Sequence, residues 1–271
     1  MKTIVVILGL VSMLGAACGG TAASSTSSSS NAVAAARGDL APTGQLRLGF
    51  PALPPFLGQQ DPSSGQWKGV AISLGNALAA RLGVTLAPVQ YADAGAAYQA
   101  LESGKVDIVL APIQAKPDGT SSTQAVLSLE HTYLVRSNSP LQSVSDVDSQ
   151  GIKVGSAEGS PHTAFLANHL QHAQLIPFPT EADALAALAV GKIDAYANVR
   201  FALAGLMAKV PGSRMLNGTF FSAGFGFVTS SMHAKGSAYL NSFVASELSG
   251  GQLEQLVHAL GKPGVLAGVA G

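Results

Sequence analysis

Three histidines are the side chains of this sequence that most directly suggest chemistry. His162, His169 and His172 could share one face of a helix by their spacing, and three imidazoles can bind a transition metal. No carboxylate or cysteine close by in the sequence completes such a site. We therefore expect no metal and no other cofactor, and solvated or capping histidines are the simpler interpretation.

A helix start with free backbone amides precedes these histidines. Ser160 is a typical N-cap residue, and Pro161 suits the first helical position. The amides of such a start can hold an anion or a polar oxygen of a ligand. Ser160, Pro161 and His162 are therefore candidate ligand-binding residues, although a plain solvated cap explains the same pattern.

Two neutral amides follow two short apolar runs. Gln114 comes after Val106–Ala111, and Asn198 comes after Ile193–Ala197. Such runs suit buried parallel strands, and ligands of α/β sheets bind beyond the carboxyl ends of the strands. With the pair Ala111-Pro112 at the first strand end, these amides would suit an uncharged polar or heteroaromatic ligand. Surface exposure is the alternative.

Apolar side chains follow the first predicted strand, Leu46–Gly49. Phe50 and Leu53 either line a pocket or belong to the core, whereas Phe56 suits the core or a hinge wall. His131 lies near a predicted crossing of the chain between its two halves, and it could enter the same pocket.

Motifs of the common enzyme classes are missing from the sequence. The segment Gly155–Gly159 is not a nucleophile elbow, because its serine directly follows the glycine. No zinc helix or phosphate-binding loop occurs. Glu158 and His162 are the isolated acid and base candidates that an enzyme could use, so we expect a binding protein rather than an enzyme.

A weak internal repeat, whose two copies are called the echo segments here, indicates the elements that position these residues. The segment 100–108 resembles the segment 187–195, and each has an Ala/Leu-rich helix pattern before a Gly-Lys pair and an apolar run after it. Glycine permits the left-handed turn at a helix end, and lysine suits the negative end of the helix dipole. A strand and a helix (Val70–Leu82 in the first case) precede each copy. Strands alternating with helices predict an α/β fold with two similar lobes and mostly parallel sheets.

The N-terminus has the layout of an export signal. Lys2 precedes the apolar run Ile4–Leu14, which is too short to span a bilayer comfortably. Cys18 is the only cysteine, so it cannot form an internal disulfide. Residues 18–44 are rich in Ser and Ala and predict a flexible tether.

Charge excludes one class of partner. The chain has 15 basic and 15 acidic residues, and charged residues make up 11% of it. Because no basic patch occurs, nucleic-acid binding has no electrostatic support. No second apolar run is long enough for a transmembrane helix.

Several ordered motifs carry a family resemblance over residues 45 to 262. The motifs are Leu46-Arg47-Leu48-Gly49, Pro54-Pro55-Phe56, Trp67-Lys68-Gly69-Val70, Arg81-Leu82-Gly83-Val84, the two echo segments, residues 139–147, Lys153-Val154-Gly155 and Phe225-Gly226-Phe227-Val228. In this order and spacing the sequence resembles the bacterial solute-binding proteins of family 3, the periplasmic components of polar amino-acid ABC importers. The segment Leu14–Cys18 also resembles a lipobox, in which the cysteine is acylated, although Gly15 replaces the usual large aliphatic residue.

The resemblance implies a two-lobed periplasmic-binding-protein-like fold of type II, with ligand-driven hinge closure and docking on a membrane permease. It divides the chain into a signal peptide (1–17), the tether (18–44), lobe 1 (45–130 plus 224–271) and lobe 2 (131–223). A monomer anchored by lipid through Cys18 in an extracytoplasmic compartment is the expectation.

The sequence departs from the family where the ligand binds. Gly119 falls at the arginine that grips the α-carboxylate in amino-acid-binding members, and Val199 falls at the aspartate that holds the α-ammonium. Phe50, Leu53 and Ala94 replace an acidic residue and two aromatic positions found in some members. Gly119 and Val199 are therefore candidate cleft residues that carry no charge.

Loss of both charged positions changes the expected ligand. A buried zwitterion needs both of its charges paired, and a bidentate arginine is the best partner for a carboxylate. The sequence thus predicts a small polar or aromatic ligand that is not a free α-amino acid. A slip in the alignment would let Lys116 or Arg200 supply the cation instead. A sensory or interaction protein, and a dehydratase or lyase using the cleft, are the alternative functions.

Overall fold

The helices and strands of the protein alternate as the apolar runs of the sequence predict. The structure is a computed structural model that describes residues 23–268, with side chains from residue 30. Its helices are α1 (Ala23–Leu40), α2 (Val70–Leu82), α3 (Ala94–Glu102), α4 (Pro161–His169), α5 (Glu181–Ala189), α6 (Arg200–Leu206), α7 (Ala234–Ser249) and α8 (Gln252–His258). Its strands are β1 (Gln45–Pro51), β2 (Gln59–Gln60), β3 (Trp67–Lys68), β4 (Thr85–Tyr91), β5 (Ile108–Pro112), β6 (Thr120–Ser122), β7 (Leu127–Arg136), β8 (Lys153–Ala157), β9 (Gln174–Phe178), β10 (Ala195–Val199), β11 (Ser213–Met215), β12 (Phe221–Ser230) and β13 (Val265–Ala267).

Two parallel units form the ends of the main sheet. Strand β1 pairs in parallel with β4 and β5, and β8 pairs in parallel with β9 and β10. The long antiparallel strands β7 and β12 join the two units, in the order β4-β1-β5-β12-β7-β10-β8-β9. The predicted α/β architecture with two strand-and-helix units is confirmed.

Local signals set the helix ends as predicted. Helix α2 ends at Gly83, whose φ of +66° is the left-handed conformation that glycine adopts freely. Helix α4 begins with Ser160, whose hydroxyl accepts a hydrogen bond from the amide of Thr163 at 3.2 Å, followed by Pro161.

The two echo segments perform the same structural task. The side chain of Asp107 accepts a hydrogen bond from the amide of Arg47 at 3.0 Å, and that of Asp194 accepts one from the amide of Lys153 at 2.9 Å. Each aspartate therefore fixes the start of the neighbouring parallel strand. Asp107 is also paired with the guanidinium of Arg47 at 2.6 Å, whereas Arg136 lies 3.8 Å from Asp194.

The hydrophobic core falls into two groups. Two clusters draw their buried residues from 36–129 and 223–265, and two others draw theirs from 133–216. The change from one group to the other occurs along β7, between Leu129 and Tyr133. Each parallel unit of the sheet is thus packed by its own helices.

The predicted flexible tether (18–44) is wrong for residues 23–40, which form helix α1. Ala36 and Leu40 are fully buried and belong to the first core group. The amide of Gly236 in α7 donates to the carboxylate of Asp39 at 2.8 Å. Helix α7 approaches α1 closely at Gly236, so tertiary contacts stabilise a segment that is weakly apolar on its own.

The export signal (1–17) and Cys18 lie outside the described residues. Within the described part of the chain, no helix is long and apolar enough to cross a membrane.

Candidate functional site

A cavity of about 470 Å³ lies where the ends of β1, β5 and β10 meet the start of α4 and the strands β7 and β12. This is the position expected for a ligand site of α/β sheets, beyond the carboxyl ends of parallel strands. Seven of the residues predicted from the sequence line it: Leu53, Pro112, Gln114, Pro161, His162, Asn198 and Val199.

Four other predicted residues do not line the cavity. Phe50 is fully buried and packs edge-to-face on Trp67, because it lies on the same face of β1 as Leu46 and Leu48. Ala111 is likewise buried in the core beside α3.

The remaining two of the four have structural roles. Gly119 has a φ of +74°, and its carbonyl accepts a hydrogen bond from the amide of Ser231 at 2.9 Å. Ser160 uses its hydroxyl to cap α4 through Thr163. Neither residue contributes to the cavity wall. The turn at Gly119 is bonded to the end of β12, and the hydroxyl of Ser160 is used by a hydrogen bond within its own helix.

Two histidines face each other at the cavity. His131 on β7 and His162 on α4 are 5% and 6% exposed, and their ring centroids are 5.3 Å apart. Nδ1 of His131 lies 3.0 Å from the carbonyl of Leu129. Burial lowers the pKa of His131 to about 4, and burial together with the neighbouring His131 lowers the pKa of His162 to about 3. Both rings are therefore neutral at pH 7.

The predicted histidine face is not assembled. His169 stacks on Phe165 with centroids 3.8 Å apart, and His172 lies 3.7 Å from a carboxylate oxygen of Asp148. Among the described residues, no group of three or more potential ligands could hold a metal ion.

The two predicted amides are already hydrogen-bonded within the protein. With its oxygen and nitrogen matched to their partners, the Gln114 amide joins the carbonyl and the amide of Gly224 at 3.1 Å each. Asn198 donates to the hydroxyl of Tyr196 at 3.1 Å and accepts from the amide of Val199 at 2.7 Å. Both amides therefore shape the cavity wall rather than present free polar groups.

The two cations considered as substitutes lie elsewhere. The ammonium of Lys116 donates to the carbonyl of Thr120 at 3.2 Å, and the guanidinium of Arg200 is paired with Glu130 at 3.0 Å. No lysine or arginine occurs among the described residues that line the cavity. Glu158 is exposed and also lies outside it.

Several cavity residues were not predicted from the sequence. Phe201, Phe221 and Phe225 supply aromatic walls, and Asp93 contributes from the start of α3, next to Ala94, which the family resemblance had placed at the ligand. His131 packs on Phe221 with ring centroids 4.9 Å apart. The apolar pattern of β12 revealed a strand but not which of its phenylalanines faces the cavity, since that depends on its pairing with β7.

Comparisons with known proteins agree with this architecture. The family model described as "Bacterial extracellular solute-binding proteins, family 3" matches residues 46–256. Comparison with curated protein sequences gave no significant match.

Solved structures resemble the chain over most of its length. A mutant of ArgBP from T. maritima is 20% identical, with a TM-score of 0.58, over 83% of this chain and 98% of that one. The putative binding component of an ABC transporter from Wolinella succinogenes, complexed with lysine, is 20% identical, with a TM-score of 0.62, over 80% and 95%. The ancestral amino acid-binding protein AncCDT-1, a precursor of cyclohexadienyl dehydratase, is 22% identical, with a TM-score of 0.59, over 80% and 95%. At these identities the likeness shows a shared two-lobed α/β fold.

Proposed function

Because the chain belongs to the bacterial extracellular solute-binding proteins of family 3, we propose that it is the lipid-anchored receptor of an ABC importer. In this proposal it captures a small polar or aromatic solute that is not a free α-amino acid, and it delivers the solute to a membrane permease.

The charge of the cavity wall carries the proposal about the ligand. A zwitterion enclosed in this cavity would bring a carboxylate to a wall whose described residues include no lysine or arginine. Burial of an unpaired charge costs far more than apolar contacts with the same molecule return. The solved relative from Wolinella succinogenes holds lysine, but no described residue of this cavity wall offers the α-carboxylate a cation.

Capture by hinge closure is the proposed mechanism. We take residues 45–130 and 224–271 as lobe 1 and residues 131–223 as lobe 2. The two groups of core clusters support this division, since the change between them falls within β7. Strands β7 and β12 would act as the hinge, and residues of both groups line the cavity between them.

The proposed anchor is a lipid on Cys18 at the outer face of the membrane. Only residues 19–22 separate this cysteine from helix α1, which is packed on lobe 1. A lipid there would hold lobe 1 close to the membrane, where the permease lies. We expect the receptor to act as a monomer.

A thermal-shift screen tests the proposed function. The full-length protein is heated with amino acids, amines, nucleobases, organic anions and uncharged aromatic compounds in turn. A ligand at a hundred times its dissociation constant should stabilise the protein by about 2.7 kcal/mol. We expect stabilisation by uncharged compounds and none by L-arginine or L-lysine. Stabilisation by a standard amino acid would overturn the ligand assignment.

Two other functions remain as alternatives with a distinct outcome. A sensory or interaction protein whose cleft binds nothing would give a melting curve indifferent to all of these compounds. A cleft enzyme has one observation in its favour, because a relative of the same fold is described as the precursor of a dehydratase. Of the acid and base candidates for such an enzyme, His162 lines the cavity and Glu158 does not.

A further inference from the structure

We infer that the cavity takes an uncharged aromatic solute that forms a hydrogen bond with Nε2 of His162. This inference rests on the proposed function, because it names the ligand class of the same cavity.

The starting observation is a polar atom without a partner. Nε2 of His162 is buried and has no hydrogen-bond partner among the described residues, and the residue as a whole is 6% exposed. The amides of Gln114 and Asn198 line the same cavity but are bonded to Gly224 and Tyr196. An unpaired buried polar atom is unfavourable, so a ligand that reaches it and pairs with it gains binding energy in addition to its apolar contacts.

The charge state of the imidazoles defines what can bind to them. His131 lies against His162 at 5.3 Å between ring centroids, and burial lowers the pKa of both. Asp93 is the other ionisable residue on the described wall, and it is exposed at the start of α3. Its Oδ1 accepts a hydrogen bond from the amide of Ala96 at 2.8 Å. Glu130, next to His131, is paired with Arg200. Among the described residues no ion pair or hydrogen bond stabilises a charged His162, so burial keeps its imidazole neutral.

A neutral imidazole carries one donor and one acceptor nitrogen. A ligand hydroxyl can both donate and accept, so it matches Nε2 of His162 in either tautomer. A carboxylate has no proton to donate and no cation to meet, and the charge of Asp93 opposes it further. An ammonium ion would lose its water of hydration in this wall. Among the described lining residues, Asp93 has the one carboxylate, which lies at the exposed rim and accepts a hydrogen bond at the helix cap.

The rest of the wall suits a planar apolar molecule. Phe201, Phe221 and Phe225 present aromatic surface, and several prolines, among them Pro112 and Pro161, add rigid apolar surface. The volume of about 470 Å³ is within the range of small-molecule sites. Aromatic side chains stack favourably on aromatic ligands, so ring systems gain contacts that flexible aliphatic chains do not.

Three probes with one ring system and different charge test the inference. They are naphthalene-2-methanol, naphthalene-2-methylamine and naphthalene-2-carboxylate, which are neutral, cationic and anionic at pH 7. Each is titrated calorimetrically into the full-length protein in detergent, with protein-free detergent as the reference for partitioning, and L-arginine is titrated in parallel. We expect the alcohol to bind at least about tenfold more tightly than either charged probe, which corresponds to one charge-sensitive contact.

A matched pair of variants isolates the hydrogen bond. His162→Phe keeps a planar ring and removes Nε2, so binding of the alcohol should weaken about five- to tenfold, as for the loss of one hydrogen bond. His169→Phe changes an exposed histidine of the same helix that does not line the cavity, and it should leave binding unchanged. The charge series on the unaltered protein tests the ligand class even if a variant folds poorly.

The outcomes separate this inference from the function on which it rests. Tighter binding of the carboxylate, the amine or L-arginine overturns the inference and leaves solute capture intact. Equal binding of the alcohol to His162→Phe and to the unaltered protein overturns the role of Nε2. No binding by any naphthalene probe also overturns the inference, and the thermal-shift screen then decides separately whether the cleft captures another solute.

Discussion

The polar side chains of the cavity are mostly committed to the protein itself. The Gln114 amide bonds to Gly224, 110 positions further along the chain, and Asn198 bonds to Tyr196. The sequence predicted that both amides lie at the cavity, because the ends of apolar runs are recognisable. It could not predict that their hydrogen bonds are used, because the partner of Gln114 is brought to it only by the pairing of β12 with β5.

The two buried histidines make the stability of the protein dependent on pH. The pKa values of His131 and His162 fall from 6.5 to about 4 and about 3 on folding. The unfolded chain therefore binds more protons below pH 6.5, so their stabilisation is complete above pH 6.5 and is lost as the pH falls toward 4. Between pH 6.5 and pH 5 we expect a loss of about 1.5 kcal/mol for each histidine in the free energy of unfolding.

Denaturant unfolding at several pH values measures this dependence. His131→Phe and His162→Phe should each remove about half of the loss in the free energy of unfolding that the two histidines cause between pH 6.5 and pH 5. The exposed His169 provides the control, because His169→Phe should leave the slope unchanged. Identical slopes for all four proteins would contradict neutral burial of the two rings.

At the scale of the element, the sequence predicted the bounds that depend on neighbouring residues in the chain. The bounds of α2 follow from its apolar run and from Gly83, which ends the helix in the left-handed conformation. The strand after each echo begins two residues later than predicted, at Ile108 and Ala195. The intervening aspartates, Asp107 and Asp194, bond to the neighbouring strand instead of continuing their own.

Helix α1 shows where composition misleads. Its Ser- and Ala-rich sequence lacks the apolar stripe of a surface helix, so it predicted a tether. The helix packs on α7 at Gly236, where a Cβ atom would lie 2.7 Å from Cδ2 of Leu40. This close approach depends on a glycine 196 positions away from Leu40, and no local pattern reports it.

Truncation of the buried Leu40 side chain at the end of α1 tests this packing. Leu40 is fully buried, so Leu40→Ala should destabilise the protein by about 3 kcal/mol, as for other core leucines. Arg37 is exposed on the same helix, and Arg37→Ala should change the free energy of unfolding by less than about 0.5 kcal/mol. Chemical denaturation measures both variants. A neutral Leu40→Ala would restore the tether interpretation.

At the scale of the whole molecule, the sequence predicted the architecture better than the ligand. Two parallel units joined by β7 and β12 follow from repeated strand-and-helix patterns, which many residues share. The ligand depends on a few side chains, and the family resemblance places uncharged Gly119 and Val199 at the charged positions of its amino-acid-binding members. Val199 lines the cavity and Gly119 does not. The described residues of the wall include no lysine or arginine, and this supports a ligand without an α-carboxylate more directly than either alignment position does.

Small-angle X-ray scattering of the full-length protein, with and without ligand, tests capture by closure most directly. Closure of two lobes around a solute lowers the radius of gyration. We expect a lower value with the uncharged aromatic compound that stabilises the protein most in the thermal screen, and an unchanged value with L-arginine. An unchanged radius with every stabilising compound, or a lower one with L-arginine, would contradict the account.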